Sequence, residues 1–135
     1  MVAYSFQPGF APLILSGVKT STIWPPRKVP HAKLGQTVHC FTGLRSENCV
    51  RLLEAPCIKS VPLEIWPDCV VSDGRRMDNP EYYRTLARIE GFDQFGNLQA
   101  WFDRRYGLPV RDLTQIAWDF SAADFIAEMA GATHG

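Results

Sequence analysis

Prolines and glycines divide this chain into short segments, and this division constrains the fold more than any other feature of the sequence. Residues 20–24 are rich in β-branched and aromatic side chains, which favour a strand, and the Pro25-Pro26 pair ends it. Apolar residues at helical spacing predict a helix over residues 8–15, and Gly17 suits its end. We therefore expect a helix that turns directly into a strand.

The rest of the chain continues this alternation, with strands dominating the middle. A capping residue followed by proline at Asn79-Pro80 predicts the start of a helix, which Gly91 ends. Another helix is predicted at residues 97–106, and further strands at residues 4–6, 37–42, 55–61, 63–71 and 113–120. This order predicts an α+β fold, a small and mostly antiparallel barrel or sheet with helices packed around it.

The length and composition indicate one globular domain. The chain has 135 residues, of which 46% are hydrophobic and 21% charged, so it can bury a core. We assign residues 1–130 to a single domain and expect a disordered tail at residues 131–135. No apolar run reaches the length of a membrane span, and the N-terminus lacks the pattern of a secretion signal. We therefore expect a cytoplasmic protein with no membrane partner.

The cysteines and histidines do not form a recognisable metal-binding pattern. None of the four cysteines is in CxxC spacing, and the three histidines include no HxxxH pair. Without a secretion signal, disulfides are not expected either. The thiols are interpreted as small buried hydrophobic groups, and no metal or cofactor is predicted.

Positive charge is concentrated in one third of a chain whose net charge is zero. Residues 19–51 carry six cations and one anion, a local charge of +5, from Lys19, Arg27, Lys28, Lys33, Arg45, Arg51 and Glu47. Such a segment favours an anionic partner, although an ordinary solvated face is an equal alternative.

The predicted strand at residues 20–24 places its polar side chains on one face. Because side chains alternate along a strand, Thr20, Thr22 and Trp24 point one way and Ile23 points into the core. Lys19 then lies where the strand begins, beside two hydroxyl groups. A groove with this lining suits a phosphate, a carbonyl or the edge of a base. The alternative is a connection in which the threonines only favour the strand and the lysine is solvated.

Four stretches, in this order, resemble the ASCH domain, a family of the PUA-like superfamily of small β-barrels. They are ILSGVKTSTI, KLGQTVHCFTGLRSENC, ARIEGFDQFGNLQAWFDRRYG and QIAW, which lie within residues 4–120. The last three resemble a phage- and bacteria-associated branch of the family, through FTGLRSENC in the second stretch, the helix pair in the third and the last strand in QIAW. The residues that match the family's lysine motif are Gly17, Lys19, Thr22 and Ile23. The resemblance implies a PUA-like β-barrel.

The chain departs from the ASCH pattern at two positions. Gly35 and Val38 match the second motif, but Gln36 replaces its usual acid. Trp24 stands where the family usually has arginine. An arginine would bind a phosphate or a carboxylate, whereas tryptophan can stack on a base. Of the nearby cations, Arg27 or Lys28 would have to supply the missing charge.

The first function that the resemblance implies is the binding of RNA or a nucleotide, in a groove at residues 19–28. Lys19, Arg27, Lys28 and Arg45 would contact phosphates, and Trp24 would stack on an exposed base. Thr20 and Thr22 would donate or accept hydrogen bonds with the base or sugar. We rank this function first because it demands less exact geometry than catalysis.

The second is hydrolysis of the acyl amide of acetylated cytidine nucleosides, an activity of one ASCH branch. The resemblance implies that Lys19, Thr22 and a glutamate on a following helix are catalytic. Glu90 is the best match for that glutamate, and Asp93 is a weaker one. A lysine with a lowered pKa would accept the threonine proton, and a carboxylate would hold the lysine or activate water. A third hypothesis is a regulatory domain with a vestigial groove, favoured by Trp24.

Overall fold

The computed structural model describes residues 1–125, so the predicted tail at residues 131–135 lies outside the described residues. The helices are α1 (Ala11–Ser16), α2 (Pro80–Ile89) and α3 (Phe95–Tyr106). The strands are β1 (Val2–Phe6), β2 (Ser21–Trp24), β3 (Thr37–Thr42), β4 (Val50–Ile65), β5 (Val70–Ser72), β6 (Arg75–Arg76) and β7 (Val110–Trp118). Single 3-10 turns lie at Pro8–Phe10 and Phe120–Ala122. Within residues 1–125, no helix is long and apolar enough to cross a membrane.

The seven strands form one mixed sheet whose pairings are mostly antiparallel. β1 pairs in parallel with β3, and every other pairing among the described residues is antiparallel. The strands follow the order β1-β3-β4-β7-β2, and β5 and β6 continue from the second half of β4. The predicted α+β fold is confirmed. The predicted barrel is not, because no pairing in residues 1–125 joins the edge strands β1 and β2.

β4 is one strand of 16 residues, and the predicted break at Pro62 is wrong. Pro62 pairs with Thr114 of β7, whereas pairing with β5 begins only at Leu63. On the β5 side, the Pro62 carbonyl accepts a hydrogen bond from the Asp73 N–H at 2.9 Å. The missing N–H of Pro62 therefore falls beyond the end of the β4–β5 ladder, where it removes no pairing bond.

The corner between α1 and β2 has the predicted form. α1 ends at Gly17, whose φ of 83° is left-handed and therefore suits glycine. A Cβ atom at this position would lie 2.7 Å from the Phe120 ring, so a larger residue does not fit. β2 starts four residues later, at Ser21. The chain thus reverses from helix to strand within the segment that carries Lys19.

Two clusters of buried apolar side chains form the core. The first joins β1, α1, β3, the start of β4 and the end of β7, and includes Tyr4, Ile14, Leu53 and Trp118. The second lies under α2 and α3, and includes Leu63, Leu86, Leu98 and Leu113. Partly buried aromatic side chains from both clusters meet beside β2. A cavity lies at this junction.

Candidate active site

The cavity beside β2 has a volume of about 240 Å³. Its walls are mainly aromatic and come from the end of β1, the turn before α1, β2, the α2–α3 connection and α3. The polar side chains that line it are Ser5, Gln7, Lys19, Thr22, Glu90 and Arg105. Lys19, Thr22 and Glu90 are buried, whereas Arg105 is exposed, so the first three form an interior wall and Arg105 lies at the mouth.

Main-chain hydrogen bonds hold the α1–β2 corner against the end of α2. The Lys19 N–H donates to the Leu13 carbonyl at 2.9 Å, which fixes the corner on α1. The Thr20 N–H donates to the Ile89 carbonyl at 3.0 Å, which fixes the same corner on the last residue of α2. Glu90 follows Ile89 directly, so this bond brings residues 19 and 90 together although 71 positions separate them.

Gly91 permits this close approach. Its φ is 93°, a left-handed conformation that favours glycine. A Cβ atom there would lie 2.9 Å from the Phe10 ring and 3.1 Å from Lys19 Cδ. Any other residue would therefore force apart the aromatic wall and the lysine side chain. The sequence IEGF thus places Glu90 inside the cavity and then turns the chain towards Phe92 on its wall.

Lys19 and Glu90 form a buried pair. Their side chains are each 4% exposed, and Lys19 Nζ lies 3.7 Å from Glu90 Oε1. Lys19 Nζ also donates to the main-chain carbonyls of Ser21 at 2.7 Å and Glu90 at 2.6 Å. The Phe10 ring centroid lies 4.9 Å from Nζ. The amine is therefore held by three oxygens and an aromatic face.

Burial changes the proton affinity of both members of the pair. It lowers the pKa of Lys19 and raises the pKa of Glu90, since each charged form loses its hydration. The charge of the partner acts in the opposite direction on each group, and this effect is the smaller one. The Lys19 amine therefore loses its proton more readily here than in water, and the neutral amine can still donate to both carbonyls.

Two buried acceptor atoms near this pair have no donor among residues 1–125. They are Oε2 of Glu90 and Oε1 of Gln115. The Gln115 amide donates instead to the Ser21 hydroxyl at 3.1 Å. Both side chains lie close enough to the Glu90 carboxyl to oppose the rise in its pKa. The Glu90 carboxyl is therefore enclosed by polar side chains, of which Lys19 carries the charge that opposes its own.

Thr22 and Trp24 lie on the same face of β2, as the alternation of side chains predicts. The Trp24 indole N–H donates to the Thr22 hydroxyl oxygen at 2.9 Å, and both side chains line the cavity. Within the described chain, no hydrogen bond joins Thr22 to Lys19 or Glu90. The indole occupies one acceptor position of the hydroxyl and leaves its proton free for another partner.

The cations predicted to bind phosphate, other than Lys19, lie outside the cavity walls. Arg27 donates to two main-chain carbonyls, and its Cζ lies 4.2 Å from the Tyr4 ring centroid. Lys28 and Arg45 are exposed on separate loops. Of the cations predicted to bind phosphate, only Lys19 therefore directs its charge into the cavity.

Two further residues predicted for the site, Thr20 and Asp93, also lie outside the cavity walls. Thr20 is half-buried at the corner and is not part of the cavity wall, because β2 begins one residue later than predicted. Asp93 lines a separate surface groove beside α2. Of the two acids considered, the structure thus places Glu90, and not Asp93, in the cavity with Lys19.

Sequence reasoning missed the contribution of α3 to the cavity. Trp101, Phe102, Arg105 and Tyr106 all line it, and Arg105 Cζ lies 4.2 Å from the Trp101 ring centroid. Residues four apart on a helix share a face, so the spacing of Trp101 and Arg105 was an available signal.

Neither a metal cluster nor a known relative identifies the site. Within residues 1–125, no group of three or more histidine, cysteine, aspartate or glutamate side chains is arranged to hold a metal ion. Comparison of the chain with family models, curated proteins and solved structures gives no match.

Proposed function

We propose that the chain is a small amidohydrolase which removes the acyl group from acetylated cytidine or a closely related nucleoside. The observation that carries this proposal is the buried Lys19–Glu90 pair, with Thr22 on the same cavity wall. The ASCH resemblance supplies the substrate class. A relation to the PUA-like superfamily, which this resemblance implies, remains part of the proposal.

The size and lining of the cavity support a nucleoside as the ligand. A volume of about 240 Å³ is just below the ~300–1,000 Å³ of small-molecule sites, so one base with part of its sugar suits it better than an RNA strand. Aromatic side chains such as Phe92 and Trp101 favour a planar base, on which they can stack.

In the first half of the reaction, neutral Lys19 accepts the proton of the Thr22 hydroxyl. The Thr22 oxygen attacks the acyl carbonyl carbon and forms a tetrahedral intermediate. The bond from that carbon to the exocyclic nitrogen then breaks, and the Lys19 ammonium returns its proton to the leaving amine. The lowered pKa of Lys19 favours the neutral amine that this step needs.

In the second half, water attacks the acyl ester on Thr22, and Lys19 takes the water proton. The ester bond breaks, the carboxylic acid leaves, and Lys19 returns a proton to the threonine oxygen. Glu90 stabilises the transient ammonium through its carboxylate, 3.7 Å away. A Lys19–Thr22 hydrogen bond would have to form when substrate binds, as is common for catalytic hydrogen bonds that are long in a free enzyme.

Binding of RNA or a nucleotide without hydrolysis is the second candidate. It is supported by the aromatic rim and by Arg105 at the mouth of the cavity. We place it second, reversing the order from the sequence, because Arg27, Lys28 and Arg45 do not line the cavity. A regulatory domain with a vestigial groove predicts neither turnover nor nucleoside binding.

A pair of threonine variants tests the proposal. Purified protein is incubated with acetylated cytidine, and cytidine and acetate are measured by chromatography. We expect turnover in the wild type and in Thr20→Val, which changes a residue outside the cavity. Thr22→Val removes the nucleophile, so its rate should fall by more than the roughly hundredfold that loss of a proton-transfer group alone costs. Absence of turnover in the wild type, or equal rates in the two folded variants, would contradict the mechanism.

A further inference from the structure

Arg105 is the one cation at the mouth of the cavity among the described residues. It lies in the last turn of α3, and its Cζ is 4.2 Å from the ring centroid of Trp101, four residues earlier. Within residues 1–125, no carboxylate forms a salt bridge with it. The ring thus holds the guanidinium at the mouth while its N–H groups stay available for a ligand.

Neither Asp103 nor Glu90 neutralises this charge. Asp103 lies on the same helix, but its carboxylate accepts the Leu108 N–H at 3.2 Å and does not line the cavity. Glu90 is buried inside the cavity and contacts Lys19. The mouth therefore combines an unpaired cation with an interior whose ionisable groups already form a pair.

A second groove adjoins the cavity beside Tyr106, the residue that follows Arg105. It shares Pro25 and Tyr106 with the cavity and extends along Arg111 and Asp112 at the start of β7. A ligand whose base occupies the interior would place the rest of its nucleoside at this junction, next to Arg105. Planar guanidinium groups recognise phosphate by two parallel hydrogen bonds, so a phosphate ester is the group that fits best here.

We propose that Arg105 binds the phosphate of a nucleoside 5′-monophosphate whose base lies in the cavity. This inference rests on the proposed function for the position of the base, and it narrows the substrate class from nucleosides to nucleotides. Arg105 is a specificity-determining residue in this assignment. The Lys19–Glu90 pair and Thr22 act on the base, and Arg105 acts only on the phosphate.

Binding of the products separates this inference from the question of catalysis. Calorimetry measures the Kd of cytidine and of cytidine 5′-monophosphate for the wild type, Arg105→Gln and Arg104→Gln. Arg104 is the adjacent exposed cation in the same helical turn and does not line the cavity, so it is the matched control. Neither ligand carries an acyl group, so the measurement is independent of turnover.

We expect the wild type to bind the monophosphate about tenfold more tightly than cytidine, the lower end for a hydrogen bond to a charged group at a partly exposed site. Arg105→Gln should abolish this preference and leave the Kd of cytidine unchanged, and Arg104→Gln should keep it. Equal wild-type affinities, equal effects of the two substitutions, or an equal loss for both ligands in Arg105→Gln would each overturn the inference. If the protein hydrolyses acetylated cytidine but shows no preference for the monophosphate, only the role of Arg105 in binding phosphate is refuted. If it prefers the monophosphate but shows no turnover, only the proposed hydrolysis is refuted.

Discussion

Replacing Lys19 by methionine removes the ammonium group from a buried pair and leaves its partners in place. The Glu90 carboxylate loses the cation 3.7 Å from Oε1, and the carbonyls of Ser21 and Glu90 lose donors at 2.7 and 2.6 Å. At an effective dielectric constant of about 20, unit charges at this separation attract by about 4.5 kcal/mol. We expect Lys19→Met to lower the free energy of unfolding by about 3–5 kcal/mol at neutral pH.

This loss should depend on pH with a definite sign. Burial raises the pKa of Glu90 above its ordinary value of 4.5, so the folded chain binds that proton more tightly than the unfolded chain. Between the unfolded and the folded pKa, stability therefore falls as pH rises. Loss of the Lys19 charge raises the folded pKa further. The destabilisation by Lys19→Met should be smallest below about pH 4.5, where Glu90 is protonated in both states, and larger at neutral pH.

Urea unfolding followed by tryptophan fluorescence measures these free energies for Lys19→Met, Glu90→Leu and the double variant. Glu90→Leu should cost less than Lys19→Met, because a neutral Lys19 amine keeps its bonds to the two carbonyls. The double variant should be more stable than the sum of the single losses predicts, since neither charge is left unpaired. If the losses of the two single variants add up to that of the double variant within about 0.5 kcal/mol, the stabilising interaction between Lys19 and Glu90 is refuted. A loss below about 1 kcal/mol for Lys19→Met would refute it as well.

Three further outcomes follow from the same geometry. The pH–rate profile for acetylated cytidine should rise through a pKa below 10.5, the ordinary value of lysine, because the neutral Lys19 amine is the proton acceptor. Glu90→Gln should move this ascending limb to lower pH, because the Glu90 charge raises the pKa of Lys19. A shift to higher pH would contradict the coupling. Gly91→Ala should lower the free energy of unfolding by about 1–3 kcal/mol in urea melts, because the added Cβ overpacks the site and strains the backbone. Gly96 has open space around it, so Gly96→Ala should change this free energy by at most about 1 kcal/mol. Trp24→Phe keeps an aromatic ring but removes the hydrogen bond to the Thr22 hydroxyl. Steady-state kinetics should therefore show kcat reduced severalfold with KM little changed. A change in KM alone would argue against a positioning role for Trp24.

Local signals in the sequence were sufficient to predict the segment that carries the candidate nucleophile. Gly17 ends α1 because few other residues adopt a left-handed conformation, and Pro25-Pro26 directly follows β2. The period of two then places Thr22 and Trp24 on one face, as observed. Each of these predictions depends on the backbone preferences of residues that are close together in the sequence, so the sequence alone is sufficient to make it.

The features that local signals could not predict depend on neighbours distant in the sequence. Pro62 breaks an isolated strand, but in β4 its missing N–H falls where no partner strand needs it. The position of Glu90 depends on the hydrogen bond from Thr20 to Ile89, and no periodicity in either segment indicates that bond. Only the ordered set of family-like motifs suggested Glu90.

Charge summed along the sequence was a poor guide to charge in space. Arg27 turns back onto the Tyr4 ring, and Lys28 and Arg45 are exposed on separate loops outside the cavity walls. The cation that does reach the mouth, Arg105, comes from α3, far from the basic segment, and is held there by an aromatic side chain one helical turn earlier. The net charge of a segment does not show where its side chains point, and the position of each side chain decides which cation a ligand contacts.

Trp24 stands where the ASCH pattern that the chain resembles usually has arginine, and it still supplies a hydrogen-bond donor to Thr22. An arginine at this position would offer a charged donor next to Thr22, and the indole offers a single neutral donor at 2.9 Å. A second cation beside Lys19 would also lower the pKa of its amine. With tryptophan instead, the proton affinity of Lys19 is set mainly by burial and by Glu90. The substitution therefore keeps a hydrogen bond to the threonine hydroxyl and leaves the proton balance of the cavity to a single buried pair.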